Sequence, residues 1–102
     1  MTTMTVAEIA AIHADRTAKG AGFAPPLAEC LAAAADGRLY DIDTQNRGAD
    51  CLTIADSGTD ALTEVAADEE PGLSAAHSGG ASGWARERGW AAERITLARG
   101  AQ

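Results

Sequence analysis

The chain has 102 residues, a formal net charge of −7 and a hydrophobic fraction of 46%. That length holds one small domain, and because 25 of the apolar residues are alanine, large core side chains are scarce. The acidic balance weighs against direct binding to nucleic acid or to anionic membranes, both of which rest on lysine and arginine displacing counterions, and no apolar run approaches the length of a membrane span.

The chain opens with Thr5 and Glu8 at the spacing of a capping box, followed by Val6, Ile9 and Ile12 on one side of a helix over about 6–19. Lys19 and Gly20 mark its end, a cation on the negative end of the dipole and a residue free to turn left-handed. The first twenty residues carry no basic leader before an unbroken apolar stretch, so the expected location is cytoplasmic. After the loop "GAGFAPP", Pro26 suits a first helical turn, and Leu27, Cys30, Leu31 and Ala34 recur at i, i+3, i+4 and i+7 in a second helix closed by Gly37.

From there the period changes to two. Tyr40 and Ile42 share one face of "RLYDID", Leu52 and Ile54 share one face of "DCLTIAD", and "TQNRGA" between them is of hairpin length. A third helix, "SGTDALTEVAAD", starts from a cap at Ser57 or Thr59 with Leu62, Val65 and Ala66 inward. Residues 72–83, rich in glycine, serine and alanine, read as a flexible connector within the single domain. Beyond them a short helix from Trp84 stops at Gly89, and residues 90–99 are open to helix or strand. A strand over about 94–98 is favoured because two strands alone seldom make a stable sheet. The expected class is α+β, with helices packed on one face of a small antiparallel sheet.

Charge is unevenly distributed along this plan. Residues 1–28 are neutral, residues 29–70 hold eleven carboxylates against Arg38 and Arg47, a net of −9, and residues 71–102 carry a net of +2. Asp36, Asp41, Asp43, Asp50, Asp56, Asp60, Glu64, Asp68, Glu69 and Glu70 flank the hairpin and third helix. All of these except Asp56 are candidate contacts for a basic surface on another protein, such as a nucleic-acid-binding groove; a solubilising role is the plainer alternative. Trp84 and Trp90 sit among Arg86, Arg88 and Arg94. They read either as core or, with Arg86 and Arg88, as interface anchors, since tryptophan and arginine are the enriched hot-spot types. A thin core with two such tryptophans also gives the expectation of a homodimer.

Chemistry-bearing motifs are few. His13, Cys30, Cys51 and His77 stand singly, at no metal-ligand spacing, so neither a metal nor another cofactor is expected. The two cysteines are expected as reduced, buried thiols. "DIDTQNRG" has Gln45 and Asn46 where a calcium loop needs an acid and a glycine, and "HSGGASGW" lacks the lysine of a phosphate loop. The stretch from Ile54 to Leu62, with Asp56-Ser57-Gly58-Thr59, resembles the catalytic loop of aspartic peptidases. That resemblance implies an Asp56 dyad completed by dimerisation, because the chemistry needs two carboxylates sharing a proton; a strand end followed by a helix cap is the favoured reading.

In size and charge alone the chain resembles small acidic antagonists made by phages and mobile elements, including some anti-CRISPR proteins. The expected function is therefore a non-enzymatic protein-binding inhibitor. A structural or assembly subunit or adaptor is the first alternative, and a peptidase-like enzyme the second.

Overall fold

The computed structural model describes residues 2–18, 24–45 and 50–100. Its elements run β1 (Thr2–Met4), α1 (Val6–Ala18), α2 (Leu27–Ala35), β2 (Leu39–Asp43), β3 (Cys51–Ile54), α3 (Gly58–Glu69), α4 (Pro71–Ala76), α5 (Gly80–Glu87) and β4 (Ala91–Leu97). The class is α+β, and the four strands form one sheet in the order β1-β4-β2-β3.

The capping box at the start of α1 forms as its spacing predicts: the Thr5 amide donates to Glu8 Oε1 at 3.0 Å and the Glu8 amide to Thr5 Oγ1 at 3.2 Å. The expected loop "GAGFAPP" and the Lys19–Gly20 stop fall largely outside the described residues. Pro26 is the N-cap of α2 rather than its first helical residue.

Strands β2 and β3 pair antiparallel, Leu39 opposite Ile54 and Ile42 opposite Cys51, and β2 pairs antiparallel with β4 as well. The third strand expected at 94–98 is thus present, longer at its start. A fourth strand was not foreseen. β1 lies parallel to β4, Thr2 opposite Ile95 and Met4 opposite Leu97, which makes the sheet mixed rather than purely antiparallel. The pairing joins residues some ninety positions apart, and "TTM" carries no alternation to announce it.

Side chains alternate across a strand, and this divides the core in two. Leu39, Leu52 and Ile95 meet Ile9 of α1 and Cys30, Ala33 and Ala34 of α2 on one face. Tyr40, Ile42 and Cys51 point the other way, into Leu62, Val65 and Ala66 of α3 and Trp84 and Ala85 of α5. Helices therefore cover both faces of the sheet, where the sequence reading placed them on one.

Residues 72–83 are not a flexible connector. Most of them lie in α4 and α5, with Pro71 at the first turn of α4 and Ser74 buried. The turn between them is tight: a Cβ on Gly79 would lie 3.2 Å from Nδ1 of the His77 ring. That ring accepts the Gly79 amide at Nδ1 and pairs through Nε2 with Glu87, tying the turn to α5.

Candidate functional site

The acidic middle of the sequence is split by the fold. Asp41 lies on the α1 side of the sheet, because it alternates with Tyr40 and Ile42, and Arg16 of α1 holds it there with Nε and Nη2 at 3.1 and 2.7 Å from its two oxygens. Asp50 is 3.7 Å from the same guanidinium. Those contacts, led by the Asp41 hydrogen bond, raise the Arg16 pKa above its ordinary value. Asp43 accepts the Gln45 amide at 2.9 Å and shapes the start of the hairpin turn, and Asp36 caps the C-terminus of α2.

The α3 carboxylates do form a group. Asp60, Glu64 and Asp68 recur at i, i+4 and i+8, all exposed, with Glu69 beside the last. None of the four forms an ion pair among the described residues, whereas Asp41 and Asp50 do. Glu70 occupies the junction between α3 and α4.

Beneath that face is a cleft of about 440 Å³, open to solvent and lined by Cys51 and Thr53 of β3 and by Glu64, Val65, Ala67, Asp68 and Glu69 of α3. Its strand side is apolar or neutral and its helix side acidic. Thr53 is 3% exposed, yet its Oγ1 has no hydrogen-bond partner. A buried hydroxyl left unpaired costs about 1–3 kcal/mol, so the floor of the cleft carries an unmet polar requirement. The exposed carboxylates on its helix side suit a cationic group, and among the described residues no set of three or more His, Cys, Asp or Glu side chains is placed to hold a metal ion.

Trp84 and Trp90 are corrected as anchors: they are 2% and 4% exposed and pack edge to face, ring centroids 5.2 Å apart, inside the α3–α5 core. The cause is local. Gly89, at φ +83°, lets the Trp90 amide reach the Ala85 carbonyl and its own amide reach Arg86, the double bond of a Schellman turn. Such turns bring the residues flanking the helix end together, here Trp84 and Trp90. "WARERGW" carries that signal, a glycine with large apolar residues five before and one after. Arg88 stacks over the Trp84 ring at 4.3 Å and Arg86 donates to Thr59 Oγ1 at 2.7 Å, so both cations serve the domain's own surface. Burial of the indoles also removes the main argument for a homodimer; Leu73 is the exposed large hydrophobic side chain among the described residues.

Asp56 stands at the surface between β3 and α3, its carboxylate accepting from Arg38 Nε at 2.9 Å with 79% of the side chain exposed. Ser57 is the cap, its Oγ accepting the Asp60 amide at 3.1 Å, as the strand-end and helix-cap reading expects. Cys30 and Cys51 lie on opposite faces of the sheet and form no disulfide. Burial pushes the Cys30 thiol pKa up, away from nucleophilic use. His13 is half-buried, its Nε2–H donating to the Pro25 carbonyl at 2.8 Å.

Together these features define a small α+β domain with helices on both faces of a mixed sheet and an acidic cleft at one edge. No protein-family model, curated protein or solved structure matches the chain. No helix among the described residues is long and apolar enough to cross a membrane.

Proposed function

We propose that this protein is a non-enzymatic binding module that occludes a basic, nucleic-acid-binding surface of a partner protein. The observation that supports the reading is the exposed face of α3, where Asp60, Glu64, Asp68 and Glu69 stand without cation partners among the described residues. Two of them, Asp68 and Glu69, lie in the last turn, where the helix dipole disfavours negative charge, and the i, i+4 spacing adds repulsion. Carboxylates kept where they weaken their own helix have their use outside it. Such a field raises the association rate and selects a partner of opposite sign.

The test is capture of partners from a nuclease-treated lysate on the immobilised protein and on a variant with Asp60, Glu64 and Asp68 all changed to lysine. The expected partner is basic, is captured by the natural chain alone, and loses nucleic-acid binding when the protein is added. A captured partner that still binds nucleic acid in the complex, or capture unaffected by the triple reversal, defeats the proposal.

A further inference from the structure

The arginines of this chain divide by what they donate to. Arg16 and Arg38 donate to carboxylates, as a chain with more acids than bases leads one to expect. Arg86 and Arg94 do not. Among the described residues each finds a hydroxyl instead: Arg86 Nη2 donates to Thr59 Oγ1 at 2.7 Å, and Arg94 Nε and Nη2 donate to the Tyr40 hydroxyl at 3.0 and 2.8 Å. A guanidinium carries more N–H donors than these bonds use, and its charge is left uncompensated by a neutral acceptor.

Both arginines are tied to the start of α3. A Cβ on Gly58, the first residue of that helix, would lie 3.6 Å from both Tyr40 Cε1 and Ala92 Cβ, so α3 begins against the ring whose hydroxyl holds Arg94. The next residue, Thr59, holds Arg86. The Gly58 and Thr59 amides belong to the turn whose N–H groups a helix leaves without acceptors of its own, and the Ser57 cap takes the Asp60 amide. The Tyr40 hydroxyl is an independent indication. It accepts twice from Arg94, yet its own hydrogen has no acceptor among the described residues, in a side chain only 2% exposed. Guanidinium N–H, tyrosine O–H and helix amides have in common that they donate. Such a set selects a ligand that accepts and is negatively charged, and the helix dipole favours the same sign. Of the two carboxylates in this stretch, Asp56 is engaged by Arg38, and Asp60 is the one opposing charge.

We propose that Arg86, Arg94 and the first turn of α3 bind a phosphate group. The ligand touches the exposed Arg86 and the half-buried Arg94, while the covered Tyr40 is a positioning residue that fixes the Arg94 guanidinium. Phosphate has the acceptor oxygens to serve both arginines and the amides together. The site lies at the opposite end of α3 from Asp68 and Glu69, and stands whether or not the acidic face binds a partner.

The test is an NMR titration of the full chain with inorganic phosphate at constant ionic strength, with sodium chloride as the reference. Saturating shifts are expected at the Gly58 and Thr59 amides. Arg86→Gln, at an exposed position, and Arg94→Gln should each weaken binding about tenfold or more, the loss of charge-assisted hydrogen bonds. Arg88→Gln should leave binding unchanged, since that guanidinium stacks on Trp84. Tyr40→Phe keeps the ring and both charges; it should lower affinity and move the Arg94 Nε–H resonance, which a purely structural ring would not do. Phenyl phosphate in place of inorganic phosphate separates the sources: equal affinity assigns the site to a phosphate carried on a larger molecule, and loss of binding assigns it to the free ion. Shifts that chloride reproduces, that fail to saturate or that survive both Arg86→Gln and Arg94→Gln overturn the site, and equal weakening by Arg88→Gln overturns it as an effect of net charge alone.

Discussion

At the α3 start, two adjacent residues that look alike in sequence have opposite worth. Ser57 satisfies the Asp60 amide, a backbone donor the helix itself leaves without a partner, whereas Asp56 makes an exposed contact with Arg38. Ser57→Ala should lower stability by about 1 kcal/mol, and Asp56→Asn by about 0.5 kcal/mol or less, the worth of a surface pair. Urea midpoints at unchanged slope would measure both, and equal losses would show the cap assignment to be wrong. A third residue sets a pH dependence. The hydrogen bond from His77 holds the Glu87 carboxyl below its ordinary pKa. The folded state then binds fewer protons than the unfolded chain, so the contribution is complete above the ordinary carboxylate range and is lost as pH falls through the depressed value. His77→Ala should leave less to lose: the acid branch of its stability curve should be shallower than that of the natural chain below about pH 4, as followed by circular dichroism.

At the scale of elements, α3 holds a conflict between stability and use. Glu64 sits one turn from both Asp60 and Asp68, and Glu64→Lys converts two repulsions into two attractions. The change should stabilise the protein by about 0.5–1 kcal/mol while slowing association with a basic partner. Thermal midpoint and association rate would therefore move in the directions of a trade; a variant that is less stable would remove the argument that the carboxylates are kept at a cost to the helix. The helices α1, α2 and α3 and the strands β2 and β3 were legible in the sequence because capping, periodicity and glycine stops are local: Thr5 with Glu8, Ser57 and Gly37 each act within a few residues. β1 was not legible, since its pairing partner is at the other end of the chain. The α4–α5 segment was misread because small residues that permit close packing have the composition of a linker. The cleft was half legible: Glu64, Asp68 and Glu69 were named from charge, but the place of Cys51 and Thr53 opposite them exists only once α3 is packed on the sheet.

At the scale of the whole molecule, the sheet separates two electrostatic regimes. On the α1 side Arg16 is shared among Asp15, Asp41 and Asp50 within the fold, while on the α3 side a row of carboxylates faces outward in a chain of net charge −7. Repulsion among like charges destabilises a compact state, and salt screens it. Folding and binding should accordingly respond to salt in opposite directions. As ionic strength rises from about 0.01 M to about 1 M, the screening length contracts from about 30 Å to about 3 Å. The urea midpoint of the free protein should rise over that range, and the association rate with a basic partner should fall. The Asp60, Glu64 and Asp68 reversal brings the formal charge close to zero, and it should flatten both dependences. Sodium chloride suits the measurement, because strongly excluded anions such as sulfate also raise stability through burial. A free protein whose stability falls with sodium chloride would mean that the internal pairs of Arg16 outweigh the repulsion across α3, and the carboxylates of that helix would then no longer count as a surface held in tension for a partner.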